Sequence, residues 1–279
     1  MLDGRKLSAE IFDEVRQKVS ARVAAGKPAP ALATVLVGDN PASELYIRSK
    51  QRNARVVGID ARDLRLAAST TTEELLALVA SLNADEAVSG VLIQQPVPAH
   101  IDMTRVIAEL DPVKDVDGFH PVNAGKVSLG LPDAVEPCTP AGIVALLERS
   151  GVTIAGADAV IVGRSNLVGK PAALLLLRRH ATVTVCHTRT RDLAGHVRRA
   201  DILVAAAGKV GLITREMIKP GSAVVDVAAN WVDGKQVGDL GPGVEETAGW
   251  LTPNPGGVGP MTRAMLIRNT FDAEIRRRP

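Results

Sequence analysis

The stretch AVIVGRSNLVGKP, residues 159–171, decides the fold class of this chain. It starts as a short apolar run that ends in Gly163, and it continues into a segment, 169–179, that is typical of a helix. Further apolar runs predict strands at 182–186, 202–208 and 223–227, with helices at 192–199 and after residue 208. Strands that alternate with helices predict a parallel sheet covered on both faces.

The N-terminal half shows the same rhythm. Apolar residues near helical spacing predict an amphipathic helix over 7–23. The later segments predict strands at 31–38, 61–66 and 88–93, helices at 41–57 and 72–82, and a final helix at 262–278 with Thr262 as its cap. The expected fold class is therefore α/β, and the pattern places a domain boundary near residues 137–140.

Composition limits the function classes. The chain has 279 residues, which corresponds to about two domains. Hydrophobic residues make up 46% and charged residues 23%, so disorder of the whole chain is not expected. Only 2% of the residues are aromatic, which argues against binding of single-stranded nucleic acid by base stacking. The net charge of +2 argues against a polyanionic partner.

The cysteines and the hydropathy indicate a compartment. Cys138 and Cys186 are the only cysteines, too few for a disulfide framework or a four-cysteine zinc site. The longest apolar stretch, 171–177, is far shorter than the roughly 20 residues that span a bilayer, and no signal peptide is recognisable. We expect a cytoplasmic protein with neither a membrane nor a nucleic-acid partner.

Residues 38–50, GDNPASELYIRSK, place polar side chains on one helical stripe. Ser43, Tyr46 and Lys50 have i, i+3, i+7 spacing. The predicted helix follows a strand, and parallel α/β sheets bind ligands at the carboxyl ends of their strands. A lysine held away from water there can act as an acid or a base. The alternative is a solvated helix face whose lysine lies along the surface.

Two more segments carry polar side chains after predicted strands. Gln94 follows the strand at 88–93, where it either reaches a ligand or only stabilises the loop. Residues 111–120, DPVKDVDGFH, carry three acids without the spacing of an EF-hand, so calcium is not expected. A carboxylate in this loop could instead accept paired N–H donors from a heterocycle.

Residues 163–171 connect a strand to a helix N-terminus, the context in which backbone N–H groups bind a pyrophosphate. The spacing is neither G-x-G-x-x-G nor a Walker motif, so only the context favours a dinucleotide. Residues 186–191, CHTRTR, contain hydroxyls and arginines but no acid, and Arg164 lies on the first loop. This composition suits the 2′-phosphate of NADP, unless the arginines are only surface charges.

The stretch 252–262, TPNPGGVGPMT, is rich in glycine and proline. Glycine lets a backbone approach a ligand closely. The segment is therefore interpreted as an active-site wall, with a plain turn before the last helix as the alternative.

Five of these segments resemble the bifunctional methylenetetrahydrofolate dehydrogenase/cyclohydrolase family. They are 37–50, 94–96, 114–119, 163–171 and 255–262, in the family's order and spacing. The resemblance implies oxidation of 5,10-methylenetetrahydrofolate to 5,10-methenyltetrahydrofolate with NADP⁺ as cofactor, followed by hydrolysis to 10-formyltetrahydrofolate. It also implies a place in one-carbon metabolism and purine biosynthesis.

The resemblance implies roles for single residues. Lys50 matches the family's general acid/base and Gln94 its hydrogen-bonding partner. Tyr46 matches the residue that packs on the folate, and Asp117 the carboxylate that holds the pterin ring. Further implied substrate contacts are Pro255, Gly256 and Gly257. The implied cofactor contacts are Gly163, Arg164, Ser165, Thr188 and Ala229, and no metal is implied.

The resemblance also implies two lobes. Residues 1–138 with 263–279 would form an α/β folate-binding catalytic domain, to which the last helix returns. Residues 139–262 would form a Rossmann-like NADP-binding domain. A homodimer built through the cofactor lobes is implied as well.

Three places depart from the family's pattern. Ala228 and Ala229 stand where glycine and isoleucine are usual, Gln95 where leucine is usual, and Asn254 where valine is common. None of them changes the pair Tyr46 and Lys50, so both activities are expected.

Two other functions share parts of the pattern. A shikimate-type NADP dehydrogenase would need neither 114–117 nor the loop 255–260. A non-catalytic folate or nucleotide-binding protein of the same fold would not need an intact Lys50.

Overall fold

A computed structural model describes residues 1–278 of the chain, apart from the side chain of residue 42. The chain forms two compact units. The five-stranded unit consists of Met1–Ala9, Val127–Pro132 and Glu136–Met265. The three-stranded unit consists of Glu10–Lys126, Asp133–Val135 and Leu266–Pro279.

Helices and strands alternate along most of the chain. The helices are α1 (Gly4–Ala24), α2 (Pro41–Val56), α3 (Thr72–Ala84), α4 (Met103–Glu109), α5 (Pro121–Leu129), α6 (Cys138–Arg149), α7 (Gly169–Arg178), α8 (Leu193–Val197) and α9 (Val258–Arg277). The strands are β1 (Ala31–Val37), β2 (Asp60–Leu66), β3 (Gly90–Ile93), β4 (Asp158–Val162), β5 (Thr182–Cys186), β6 (Ile202–Ala205), β7 (Ala223–Asp226), β8 (Asn230–Val232), β9 (Lys235–Val237) and β10 (Trp250–Leu251). The predicted α/β class is confirmed.

The three-stranded unit is built on a parallel sheet with strand order β2-β1-β3. All seven residues of β1 are buried, as its sequence, apolar except for Thr34, predicts for a central parallel strand. Leu75 and Val79 of α3 pack into the core beneath this sheet. A reciprocal pair of bonds begins α3: Thr71 Oγ1 accepts from Glu74 N at 3.2 Å, and Glu74 Oε2 accepts from Thr71 N at 2.8 Å.

Buried charges anchor the last helix within the three-stranded unit. Glu274 of α9 is fully buried and accepts from Arg22 Nη2 at 2.7 Å, from Ser89 Oγ at 2.8 Å and from Arg278 Nη2 at 2.7 Å. Breaking such a pair by removing one partner costs about 3–5 kcal/mol, because the other charge stays buried alone. The contact therefore connects α1 and the start of β3 to α9.

The five-stranded unit has the parallel strand order β10-β7-β6-β4-β5. β4 lies between β5 and β6. The chain continues from β4 to its neighbour β5 on one side and then crosses to β6 on the other side of β4. In open α/β sheets ligands bind at the carboxyl edge beside such a reversal. The carboxyl ends of β4, β5 and β6 therefore define the place to look for a site.

The expected cap of the last helix is wrong. α9 begins at Val258, so Thr262 lies inside the helix instead of at its start. There its hydroxyl donates to Val258 O at 3.2 Å, a bond to the preceding turn of the same helix. The glycine-proline stretch is consequently a shorter loop than expected.

Several elements escaped the sequence pattern: α4, α5, α6, β10 and the antiparallel hairpin of β8 and β9. α6 is buried along almost its whole length, so its sequence lacks the one-sided apolar stripe of a surface helix. The hairpin had a signal that was overlooked. Asp233 and Gly234 form its turn with φ of 48° and 73°, the positive angles that an Asp-Gly turn provides.

No helix within residues 1–278 combines the length and the apolar character that crossing a membrane requires.

Candidate active site

The stripe predicted on residues 38–50 lies on α2. Gly38 ends β1 with φ of 85°, a conformation that favours glycine, and α2 begins three residues later. Tyr46 is 42% exposed on this helix, which leaves its ring accessible to a ligand. Lys50 Nζ, one turn further along, donates to Gln94 Oε1 at 3.0 Å. The structure thus brings together the lysine and the glutamine that the sequence singled out.

Hydrogen bonds fix both the backbone and the side chain of Gln94. Its backbone N donates to Val35 O at 2.9 Å, which extends the pairing of β3 with β1 by one residue. Its side-chain Nε2 donates to Gln95 O at 2.5 Å, so the amide oxygen is the atom that faces Lys50. The side chain is only 8% exposed. Lys50 therefore has an acceptor of fixed orientation.

Two buried charges support the loop that carries Asp117. Lys114 is fully buried, and its Nζ donates to the carbonyl oxygens of Leu82, Asn83 and Asp85 at 2.7–2.8 Å, at the end of α3. Burial lowers the pKa of Lys114, and the positive charge of Arg277 lowers it further.

Asp115 organises the other side of this loop. Its carboxylate accepts from Gly118 N at 3.0 Å, from His120 N at 2.8 Å and from Asn123 Nδ2 at 2.9 Å. Asp117 lies between these contacts, half-buried. Asp115 and Asp117 both line a small cavity beside this loop.

Gln95, which departs from the family's pattern, lines the same cavity as Asp117. The cavity is small, about 20 Å³, and Gln95 and Phe119 also line it. Most of its remaining lining is apolar, including Ile93 and Leu110. A cavity of this volume holds about one water-sized group, so it suits the polar edge of a heterocycle and not a whole ring.

In the five-stranded unit, the loop after β4 turns so tightly that only glycine fits at two positions. Gly163 has φ of 135°, and a Cβ there would collide with the carbonyl oxygen of Ala206. A Cβ on Gly169 would collide with the carbonyl oxygen of Gly163. Ser165 Oγ accepts from Val168 N at 3.1 Å at the start of α7. The loop therefore leads directly onto a helix N-terminus, which favours anions.

A cavity of about 520 Å³ lies beside this loop. The predicted residues Gly163, Arg164, Ser165 and Thr188 all line it. Arg189 and Arg191 do not line it, so of the arginines considered for a 2′-phosphate only Arg164 borders the cavity. None of the lining residues is acidic, which makes the cavity suitable for a ligand with several phosphates.

Part of the cavity wall was not anticipated from the sequence. The turn after β6 contributes Ala207 and Lys209. Fully buried Asp239 holds this turn: Oδ2 accepts from Ala207 N at 2.6 Å and Gly208 N at 3.0 Å, and Oδ1 accepts from Lys209 N at 2.6 Å. A lysine just beyond the carboxyl end of a parallel strand was the available signal.

The remaining predicted contacts lie after β7 and β10. Ala229 is exposed and does not line the cavity. Asn254 Nδ2 donates to Ala228 O at 2.7 Å, so two of the unusual residues are bonded to each other.

The loop Pro255–Gly257 precedes α9 and is closed by a bond from Gly257 N to Pro253 O at 2.8 Å. Gly256 has φ of 123°, a conformation that requires glycine.

The described residues contain no group of three or more His, Cys, Asp or Glu side chains that could hold a metal ion. Cys138 and Cys186 are free thiols, both buried. Burial raises the pKa of the Cys186 thiol.

Comparison with known families matches both parts of the chain. Residues 2–117 match the family model of the tetrahydrofolate dehydrogenase/cyclohydrolase catalytic domain, and residues 137–278 match that of its NAD(P)-binding domain. A bifunctional protein FolD from Halothermothrix orenii is 51% identical over 275 residues, 98% of this chain and 97% of that protein.

Solved structures agree with these matches. The bifunctional methylenetetrahydrofolate dehydrogenase/cyclohydrolase FolD of Campylobacter jejuni is 45% identical with a TM-score of 0.97, covering 99% of this chain and 98% of that one. FolD of Trypanosoma brucei, solved with NADP cofactor and inhibitor, is 37% identical with a TM-score of 0.93, covering 98% and 96%.

A shikimate 5-dehydrogenase of Thermus thermophilus is only 16% identical, with a TM-score of 0.52 over 88% of this chain and 99% of that one. That likeness concerns the fold alone.

Proposed function

The chain belongs to the tetrahydrofolate dehydrogenase/cyclohydrolase family, and we propose from this premise how its own residues carry out the two reactions of a FolD enzyme. It oxidises 5,10-methylenetetrahydrofolate to the methenyl form with NADP⁺ and hydrolyses that product to 10-formyltetrahydrofolate. The observation that carries the residue assignment is the 3.0 Å hydrogen bond from Lys50 Nζ to Gln94 Oε1.

Hydrolysis needs a group that carries a proton between two positions. Addition of water to the cationic methenyl carbon forms a C–O bond and releases one proton. Opening of the ring then breaks a C–N bond while a proton moves from oxygen to the ring nitrogen. We assign both transfers to Lys50, with Gln94 orienting its Nζ through the fixed amide oxygen.

Tyr46 and Asp117 are the proposed substrate-positioning residues of the same unit. The half-exposed ring of Tyr46 lies one turn before Lys50 on α2, where it can pack on the flat face of the folate. Asp117 accepts the paired N–H groups at the edge of the pterin. Gln95 shares the cavity of Asp117 and is proposed to bond the same polar edge.

The cavity of the five-stranded unit suits the phosphates of NADP in its tight glycine approach and in the absence of acidic lining. When bound, NADP⁺ supplies the acceptor for the hydride. Gly163, Ser165 and Thr188 are proposed to hold the phosphates and the adenosine ribose, and Arg164 the 2′-phosphate. Ala229 is proposed to offer its backbone to the nicotinamide amide.

The loop at 255–257 is proposed to contact the folate. The positive φ of Gly256 and the bond that closes the loop at Gly257 give this backbone a defined shape. A backbone without side-chain bulk can approach a ligand closely, which supports the assignment.

We also propose the division of the chain into a catalytic domain, 1–138 with 263–279, and an NADP-binding domain, 139–262. The buried bonds of Glu274 within the three-stranded unit support the assignment of the C-terminal residues. A cytoplasmic location and a role in purine biosynthesis are proposed as well.

A homodimer through the five-stranded units is proposed as well. β5 is an end strand of its sheet, and Val185 on it is exposed, which supports an interface at that edge. Sedimentation velocity on the purified chain tests this, and a monomer at micromolar concentration contradicts it.

The decisive experiment follows methenyltetrahydrofolate by its absorbance. The wild-type protein with methylenetetrahydrofolate and NADP⁺ is expected to form and then consume the methenyl compound. Lys50→Met is expected to lower the hydrolysis rate at least about a hundredfold, the size of a lost acid/base catalyst, without weakening NADP⁺ binding.

The matched control is Arg52→Met, which removes an exposed cation from the same helix and should hydrolyse at the wild-type rate. Normal hydrolysis by Lys50→Met would remove Lys50 from the mechanism. Turnover of shikimate with NADP⁺ and none of methylenetetrahydrofolate would overturn the function itself.

A further inference from the structure

The turn 207–209 and the loop at Gly163 border the same cavity from neighbouring strands. The turn follows β6, the loop follows β4, and the two strands pair in parallel. β5, which leads to Thr188, pairs with β4 on its other side. The turn therefore lies across β4 from the Thr188 segment.

Lys209 brings a second permanent cation to the cavity, after Arg164. It is exposed, and among residues 1–278 no carboxylate forms an ion pair with its ammonium group. A cation that borders this cavity without an ion-pair partner is available for an anionic ligand.

Asp239 gives the turn a fixed shape. Besides the three backbone N–H groups of residues 207–209, its carboxylate accepts from Asn230 Nδ2 at 3.2 Å. Four N–H donors compensate for the burial of the carboxylate. Its own backbone N donates to Asp226 Oδ1 at 3.0 Å at the end of β7, so the turn is fastened to the interior of the sheet.

We propose that Lys209 binds the pyrophosphate of the dinucleotide and that Asp239 is the positioning residue of the turn that presents it. The inference rests on the proposed cofactor site. Because the turn lies across β4 from Thr188, its charge meets the part of the cofactor that NAD⁺ and NADP⁺ share, and not the 2′-phosphate.

Dissociation constants of both dinucleotides, measured by calorimetry without substrate, test the role of Lys209. Lys209→Gln is expected to weaken NADP⁺ and NAD⁺ by the same factor, about tenfold, the effect of one charge-assisted hydrogen bond. Lys209→Arg should recover part of the loss. The control Lys235→Gln, an exposed lysine on β9, should bind like the wild type.

Three results would overturn the proposal. Wild-type affinity in Lys209→Gln would exclude the contact, and a loss confined to NADP⁺ would assign the lysine to the 2′-phosphate. A wild-type chain that binds neither dinucleotide would overturn the proposed function together with this inference, which distinguishes it from the first two results.

A double-mutant cycle tests Asp239. Asp239→Asn is expected to weaken binding in the wild-type background by about the same tenfold and to add little in the Lys209→Gln background. Equal losses in both backgrounds would make Asp239 a purely structural residue. Asn230→Ala, which removes one of the four donors, replaces Asp239→Asn in the same cycle if that variant does not fold.

Discussion

Asp115 in the three-stranded unit and Asp239 in the five-stranded unit each collect N–H groups from a loop of the candidate site. Asp115 binds donors that follow it by three, five and eight residues. Asp239 binds a turn that precedes it by 30 to 32 residues. The loop of Asp117 therefore carries its own support in one short motif, whereas the turn 207–209 depends on a distant segment.

This difference shows which supporting residues of a loop lie within a short sequence motif and which lie far from it in the chain. The run Lys114–Phe119 combines Asp117, the proposed substrate contact, with the two buried charges that shape its loop. The turn 207–209 has no such local marker, and only the fold reveals its anchor. Variants in each unit should consequently affect one ligand and spare the other.

The largest effect is expected from Asp115→Ala. It leaves two backbone N–H groups without their acceptor, and the amide of Asn123 keeps only its bond to Pro112 O, which together costs about 3–5 kcal/mol of unfolding free energy. The displaced Asp117 should raise the KM for methylenetetrahydrofolate, while the Kd of NADP⁺ stays unchanged. Urea unfolding, steady-state kinetics and calorimetry measure the three quantities.

Asp102→Ala is the matched control, because Asp102 also accepts two backbone N–H groups, from Thr104 and Arg105, at the exposed start of α4. Its loss should cost about 1 kcal/mol and leave KM unchanged. A folded Asp115→Ala protein with wild-type KM would separate Asp115 from substrate positioning.

Lys114→Met should have the next largest effect. Three carbonyl oxygens at the end of α3 lose their donor, but a buried positive charge disappears as well, which offsets part of the loss. We expect about 2 kcal/mol of destabilisation with a smaller change in KM than Asp115→Ala causes. Equal stability of variant and wild type in urea would show that the three bonds contribute nothing net.

Arg164→Ala tests the five-stranded unit. Loss of its guanidinium should weaken NADP⁺ about tenfold and NAD⁺ much less, because only NADP⁺ carries the 2′-phosphate. Lys209→Gln is expected to weaken NADP⁺ and NAD⁺ by the same factor. Comparison of the two variants therefore separates a contact to the 2′-phosphate from a contact to the pyrophosphate, which both dinucleotides carry. The same loss for both dinucleotides in Arg164→Ala would refute its assignment to the 2′-phosphate.

The smallest effect concerns pH. Burial raises the pKa of Asp226, whose carboxyl group bonds the backbone of Asp239. The neutral form is favoured in the fold, so the stability that Asp226 contributes is complete at acidic pH and is lost as pH rises through the raised pKa. Asp226→Asn should therefore gain stability relative to the wild type as the pH rises from about 4, the ordinary pKa of an aspartate, towards neutral.

Urea unfolding at several pH values measures this difference. A difference between the two proteins that does not change with pH would show that Asp226 does not titrate across this range in the folded chain.

The sequence predicted the parts of the fold that short-range pattern controls. β1 is apolar except for Thr34, and the pattern predicted a strand over 31–38 and a helix over 72–82, so β1 and α3 were located to within two residues. α6 was missed because burial on all sides erases the helical stripe. Thr262 was misassigned because a glycine and a proline, Gly259 and Pro260, do not prevent α9 from starting earlier.

The candidate site divides in the same way. The stripe of Tyr46 and Lys50 follows from helical spacing alone, and the structure adds the bond to Gln94 across 44 residues. The role of Asp239 depends on the pairing of β6 with β7, which no local pattern encodes. Contacts between distant segments require the completed sheet, and this is why Lys209 was not anticipated.

The sequence separation between Asp239 and the turn that it binds also sets the order in which the two are synthesised. On the ribosome, β4, β5, β6 and the turn after them are made before residue 239, which follows Lys209 by 30 residues. At about 5–20 residues per second this delay amounts to roughly 2–6 s. A nascent chain therefore exposes the loop at Gly163 before the opposite wall of the cavity, held by Asp239, can take its shape.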